Sequence, residues 1–388
     1  MVVVGAGPAG SAAARTLAAA GRNVCIIDKA VFPREKLCGG LITLRSKKIF
    51  ERAFEGEWKS ELFLSSTRVA FFSDGKELAE APPYHNSKLF FTMRIDFDNY
   101  LLELAHQAGA HLKLGQAVSK LDTKEMVIQL ASGADISFDF LIGADGVNSQ
   151  VAKSIFGYSF DPDTIGFGLE VEVPRENLPK QTDCVEIDFA AARWGYGWIF
   201  PKKSTFTIGV GGIHKLNPNL RESLDRYLQH KGLSVDEFKV KGQYIPFGDY
   251  RKTPGSGRIL LCGDAAGTVD PITGEGIAYA MQGGEAAARA IISSMENKCD
   301  NALDLYLIEY KNIAKPIKQA TFWRKLIFPA IVQKPFAWAF ADASTLQKGY
   351  LDILAGDRDY NSLYVLFGIQ VKKAIKKLFS TILRKLSF

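Results

Sequence analysis

The stretch VVVGAGPAGSAAARTLAAAGRNVCIIDKA, residues 2–30, decides how the chain begins to fold. Three valines, a glycine-rich turn, a run of small residues and an apolar run closed by an acid read as strand, tight turn, helix and strand. Gly5 allows the tight turn, and Gly7 lets the backbone approach a pyrophosphate. Gly10 lets the helix pack closely on the sheet, and the helix N-terminus faces the phosphates. Asp28, 18 residues beyond Gly10, ends the second strand, where a carboxylate accepts hydrogen bonds from both ribose hydroxyls. A bare glycine triplet carries little weight. Set between two strands, with an acid at that distance, it marks a dinucleotide site. Met1 opens directly into the first strand, without the few residues that usually lead into one, as a clipped or misassigned start would.

A second strand-turn-helix unit lies far along the chain, in RILLCGDAAGTVDPITGEGIAYAMQGGEAAARAI, residues 258–291. Asp264 follows its strand. Gly274, Gly276 and Ile277 open a small-residue helix whose N-terminus can face a second anion or a polarised carbonyl. Simple NAD-dependent dehydrogenases need no such unit. LIGADGVNSQVAK, 141–153, holds an Asp-Gly pair that includes Gly146, and MRIDFDNYLLELA, 93–105, sets Arg94 before a helix. Together these motifs resemble the FAD enzymes of the aromatic-hydroxylase superfamily. The resemblance implies FAD as cofactor, with Asp264 on the flavin's ribityl chain and Arg94 leading into a helix that touches the flavin. It further implies that Ala9 and Asp28 meet the adenosine half, and that Val118 offers a backbone contact to the adenine. Lys153 departs from that family, which commonly has arginine there.

Between residues 160 and 250 the pattern changes. DCVEIDFAAA, GYGWIFPKK and STFTIGVGGI alternate and end in turn residues, as successive strands of an antiparallel sheet do. In the second of these, Tyr196, Trp198 and Phe200 project from one face while Gly195, Gly197 and Ile199 take the other. Such a row serves either as sheet core or as the wall of a ligand cavity. A helix, NLRESLDRYLQHKG, then leads back toward the nucleotide domain, and the chain looks helical from 300 on. The expected fold class is α/β. A Rossmann-like FAD-binding domain takes residues 1–60, 90–155 and 252–300. An inserted antiparallel-sheet substrate domain takes 61–89 and 156–251, and a C-terminal helical region takes 301–388.

One more stretch narrows the family. In FPREKLCGGLI, 32–42, the paired Gly39 and Gly40 after Cys38 allow close backbone approach to a flat ligand. Lys-x-Cys-Gly-Gly, combined with Tyr-x-Trp-x-Phe-Pro, resembles the geranylgeranyl reductase family, which saturates isoprenoid double bonds of archaeal lipids, chlorophyll side chains or menaquinone tails. The resemblance implies that Tyr196, Trp198, Phe200 and Pro201 line a prenyl cavity, and that Cys38, Gly39 and Gly40 sit beside the isoalloxazine. An isolated alkene has no carbonyl to stabilise charge, so hydride transfer over about 3–3.5 Å must be coupled to proton delivery. Cys38 is the candidate catalytic residue, supplying that proton or tuning the flavin; the plainer reading is an inert buried thiol. Aromatic faces could ease cation-like charge at the alkene. With no second glycine fingerprint, the electron donor is expected to be NADPH docking transiently or reduced ferredoxin.

Two rival functions share these features. A flavin monooxygenase would carry the same FAD motifs, although the WxWxIP motif of halogenases is missing. An electron-transferring flavoprotein dehydrogenase that serves a quinone would suit the basic tail equally well. The Lys-x-Cys-Gly-Gly and aromatic motifs favour the reductase.

Composition bounds the rest. With 388 residues, 47% hydrophobic and 23% charged, the chain suits two or three globular domains. Its five cysteines (Cys25, Cys38, Cys184, Cys262, Cys299) form no CxxC pair and its histidines no metal spacing, so no metal site is expected and a reducing cytoplasm is. The net charge of +6 sits wholly in residues 371–388, which hold six Lys and Arg and no acid. As a helix, that tail gathers Val371, Ile375, Leu378, Phe379, Ile382 and Leu386 on one stripe. It suits either the anionic inner face of the cell membrane, reached peripherally, or packing on its own domain. With the rest of the chain neutral, no nucleic-acid partner is expected. The expected partners are a prenylated lipid or quinone substrate and an electron-donor protein.

Overall fold

The structure, a computed structural model, describes residues 1–81, 88–178, 183–247, 250–329 and 343–363, with residues 331, 333, 336, 340, 341 and 365 besides. The apolar runs around the fingerprint form the centre of a parallel sheet. Val2–Val4 lies between Leu141–Gly143 and Cys25–Asp28, and Ile259–Leu261 and His111–Leu114 extend the array on either side. Val3, Ile26, Ile27, Leu141, Ile142 and Leu260 are wholly buried, as strands covered on both faces must be. Small residues set the spacing of the helices. A Cβ on Gly10, in helix Pro8–Ala19, would stand 1.8 Å from the Gly5 carbonyl oxygen. One on Gly284, in helix Ile277–Glu296, would stand 1.9 Å from the Ala9 carbonyl oxygen. The helices of the two strand-turn-helix units therefore pack together over bare backbone. Leu17 is wholly buried beneath them, and trimming such a side chain to alanine costs about 2–5 kcal/mol.

The second layer is a seven-stranded sheet in the order Lys241–Ile245, Gly166–Pro174, Thr205–Ile213, Tyr196–Pro201, Val185–Asp188, Val69–Ser73, Lys76–Ala81. All of its pairings are antiparallel except that of Val185–Asp188 with Val69–Ser73. Alternation divides the faces. Val171, Ile199, Ile208 and Val210 pack under Leu224 and Leu228 of helix Leu220–Gln229, and Trp198 and Phe200 point the other way. The chain does not run straight from that helix to the nucleotide domain, because Lys241–Ile245 first joins the sheet's edge. Residues 61–89 divide: two of their strands join this sheet, whereas Leu64–Ser66 pairs with Leu89–Phe91, which also pairs with Leu41–Ile42.

Beyond 300 the described chain is helical. Helix Ala302–Ile327 buries Tyr306, Tyr310, Ile313 and Ile317 in the nucleotide-domain core. Helix Ser344–Ala355 sends Leu346, Leu351 and Leu354 onto the aromatic face of the antiparallel sheet. The basic tail 371–388 lies outside the described residues. No helix of the described residues is long and apolar enough to cross a membrane.

Candidate active site

A cavity of about 810 Å³ opens between the two sheets and runs from the fingerprint turn to the aromatic strand. At its nucleotide end the lining includes Gly5, Gly7, Ala9, Asp28, Val118 and Gly146. Gly5 sits at φ +102°, and a Cβ there would stand 2.3 Å from the Ala144 carbonyl oxygen, so the turn is pressed against the Asp-Gly loop. That loop is pinned by Asp145, which accepts hydrogen bonds from the Ser149 hydroxyl and from the Gln150 and Val151 N–H groups. Asp28 accepts from Ala6 N–H at 2.7 Å and from Ala30 N–H at 2.8 Å, one on each oxygen. Each oxygen keeps a lone pair for a ribose hydroxyl. Arg34 brings its guanidinium within 3.6 Å of where a Gly7 Cβ would be, and pairs with buried Asp98 at 2.9 Å.

These features test whether FAD fits. Around Gly146, at φ +82°, a Cβ would meet nothing within 4 Å, so the loop offers bare backbone to the cavity. Bare backbone at Gly7 beside a fixed guanidinium suits a pyrophosphate. The indole N–H of Trp198, buried and with no partner among the described residues, faces Gly39 in the same cavity. A flavin ring carries acceptors for such a donor, and an isoprenoid chain carries none. The residues fit FAD.

The Cys38 loop joins the two halves. Gly40, at φ +71°, packs so tightly on the Thr92 carbonyl that a Cβ would stand 2.1 Å from its oxygen. A Cβ on Gly39 would stand 2.6 Å from the Phe200 ring. The Cys38 sulfur accepts from Gly40 N–H at 3.4 Å and lies beside the Arg94 guanidinium. Arg94 is itself held by Asp98 through bonds of 2.6 and 2.7 Å. Burial works against the charge of Arg94, yet Asp98 and the Cys38 sulfur outweigh it and raise its pKa. Lys36, two residues before Cys38, is pushed down by burial, while Asp264 beside it acts in the opposite direction. Asp264 and Lys36 thus face each other's charge at the cavity lining.

The second motif and the aromatic strand meet directly. The Tyr196 hydroxyl donates to the Thr273 carbonyl at 2.8 Å, and a Cβ on Gly274 would stand 2.3 Å from that hydroxyl oxygen. Beneath them, Asp270 accepts from Tyr360 at 2.8 Å and Glu275 accepts from Thr43 at 2.7 Å; burial raises the pKa of both acids. Trp198 lies flat across its neighbours because they have no side chains. A Cβ on Gly209 would stand 2.3 Å from its ring, one on Gly211 3.3 Å and one on Gly168 3.5 Å. The sheet thus presents an indole plate on a bed of glycines, flanked by Tyr196 and Phe200.

Of the residues singled out from sequence, Cys38, Gly39, Gly40, Arg94, Asp264, Gly274, Gly276 and Ile277 also line this cavity, with Tyr196, Trp198 and Phe200. Gly10 sits behind the fingerprint at the helix–sheet contact, and Pro201 is buried at the end of its strand; neither is a lining residue. Trp198 and Phe200 line the cavity and also belong to the apolar cluster under Leu346 and Leu354. Sequence reasoning missed Arg34, Lys36, Glu170 and Glu275. Arg34 and Lys36 stand inside the quoted stretch FPREKLCGG, where only the cysteine and glycines were read as functional. Glu170 alternates away from the core residues Leu169 and Val171, which reads as a solvated position until a second domain covers that face.

Comparison with known proteins adds the family. Residues 1–162 match the model of an FAD binding domain. The chain is 31% identical to the menaquinone reductase of Mycobacterium tuberculosis over 313 residues, 76% of each chain. It is 30% identical to the geranylgeranyl diphosphate reductase of Rhodobacter capsulatus, over 76% of this chain and 75% of that one. In fold it resembles a geranylgeranyl bacteriochlorophyll reductase-like protein from Thermoplasma acidophilum, with a TM-score of 0.76, 19% identity and 98% of both chains covered.

Proposed function

Because the chain belongs to the geranylgeranyl reductase family of FAD-dependent oxidoreductases, we propose that it saturates isoprenoid double bonds of a lipid, a quinone or a prenyl diphosphate. The observation that carries this reading is the shared cavity. The indole plate of Trp198, the Cys38 loop and the dinucleotide turn all open into one space. When bound, FAD would supply the hydride for one alkene carbon. Gly5, Gly7, Asp28 and Arg34 would hold its adenosine and pyrophosphate portions. Lys36 and Asp264 would flank the ribityl chain, and Gly39 and Gly40 would let the ring lie close to the loop. Trp198 and Phe200 exclude water and give the prenyl chain an apolar, polarisable surface on which one conformation can be held.

Cys38 touches the region where ring and alkene would meet. With donors from Gly40 and Arg94 aimed at its sulfur, its role is to fix the loop and the field around the reacting atoms. Cys38→Ser is expected to keep full FAD content and to slow alkene reduction by about tenfold or more, about 1.4 kcal/mol in barrier. An unchanged rate would remove Cys38 from the chemistry. The electrons would come from NADPH or reduced ferredoxin, and the basic tail would bring the protein to an anionic membrane surface.

The test is anaerobic. The FAD-loaded protein is reduced with dithionite and mixed with geranylgeranyl diphosphate, a geranylgeranylated lipid or menaquinone, and flavin reoxidation is followed together with product mass. Reoxidation without oxygen, with two hydrogens gained per turnover, is the expected result. Flavin that stays reduced with every prenyl compound and reoxidises only with oxygen would favour a monooxygenase instead.

A further inference from the structure

Alkene reduction needs a proton at one carbon as well as a hydride at the other, and the cavity contains an acid that the reading above does not use. Glu170 lies on strand Gly166–Pro174, in the same cross-strand row as Gly209 and Trp198. It therefore stands one glycine away from the indole plate, and it lines the cavity. Its Oε1 accepts the Cys38 N–H at 3.0 Å, which fixes the carboxyl against the Cys38 loop. No described residue donates to Oε2. The other candidates on this wall are committed elsewhere. The Tyr196 hydroxyl already donates to the Thr273 carbonyl, and the Cys38 sulfur is surrounded by donors rather than acceptors.

We propose that Glu170 is the acid that delivers the proton of alkene reduction, a role that rests on the prenyl-reductase reading. Its O–H bond breaks as a C–H bond forms at one alkene carbon, while the hydride from the reduced flavin completes the other. The pair of electrons and the proton are then accounted for, and Glu170 is left as a carboxylate that takes a proton back from water. The surroundings suit both states. Burial pushes Glu170 up to about 7, so about half of it carries a proton at neutral pH. Glu172, on the same face of the strand, adds to the rise. Lys202, Lys36 and the Cys38 N–H oppose it and stand ready to steady the carboxylate after transfer. Lys202 is tied to Glu172 at 3.3 Å, and Arg94 lies behind Cys38.

Glu170 delivers a proton only in its neutral form, so the rate should be level below pH about 7 and fall above it.

Glu170→Gln keeps an acceptor for the Cys38 N–H and removes the titrating proton. In anaerobic single turnover with a prenyl substrate it should bind normal FAD and lose about 10²-fold or more in the reoxidation rate. The falling limb of the pH profile should vanish in Glu170→Gln, survive in Cys38→Ser, and survive with a smaller rate loss in Glu170→Asp. A readout that needs no turnover is the infrared carbonyl band of a protonated carboxylic acid. In the FAD-loaded protein part of that band should fade as pH rises through about 7, and that part should be missing from Glu170→Gln. Wild-type protein inert toward every prenyl compound would overturn the reductase reading and this role with it. Active wild-type protein with an equally active Glu170→Gln, or with a pH limb that the substitution leaves in place, would overturn the role of Glu170 alone.

Discussion

The two ends of the cavity use glycine for opposite purposes. At the nucleotide end, Gly5 and Gly10 let backbone touch backbone, with virtual Cβ atoms at 2.3 and 1.8 Å from carbonyl oxygens. At the aromatic end, Gly209, Gly211 and Gly168 make room for a side chain, the Trp198 indole. The acids differ in the same way. Asp28 is met on both oxygens by backbone N–H groups at the end of a parallel strand, whereas Glu170 is buried with a single such donor. One end is a rigid mould for a charged ligand. The other is an apolar plate with one acid beside it. The contrast suits the proposed reading, in which phosphates need fixed donors and an alkene needs a dry surface and a proton.

Breaking the nucleotide end should have the largest effect. Gly10→Val drives a side chain into the Gly5 carbonyl and should prevent any FAD-loaded protein from forming, at a cost above about 4 kcal/mol. Flavin content and thermal melting would report it, and a flavin-replete variant would contradict the close-approach argument. At the aromatic end a single methyl should do subtler damage. Gly209→Ala must tilt the Trp198 plate; FAD content should hold while prenyl-dependent reoxidation falls about 10²-fold, the usual cost of misplacing a reacting group. Equal loss of FAD and activity would show that the two ends are not separable. The smallest effect is expected for Trp198→Phe, which keeps an aromatic surface but deletes the unpartnered indole N–H. FAD affinity should weaken about fivefold, as loss of one hydrogen bond of about 1 kcal/mol does. Unchanged affinity would mean that the indole donor does not meet the flavin.

The sequence revealed the nucleotide end better than the aromatic end, for a physical reason. Gly5, Gly7, Gly10 and Asp28 act through local backbone geometry, and their spacing is set within one strand-turn-helix unit. The Tyr196, Trp198 and Phe200 row was legible by alternation, as was its sheet. The glycine bed was not, because Gly168 and Gly209 come from strands whose register no local pattern gives. Glu170 was hidden for a related reason. It is met by the Cys38 loop, 132 residues earlier in the chain. Lys36 and Arg34 acquire their meaning only when Asp264 and Asp98 arrive from elsewhere.

The most direct measurement of the central claim is a crystal structure of the FAD-loaded protein with a geranylgeranyl compound. The expected result puts the isoalloxazine against Gly39 and Gly40, with the prenyl chain along Trp198 and Phe200 and one double bond beside Glu170. A chain bound outside this cavity, or a flavin ring turned away from the Cys38 loop, would contradict the account.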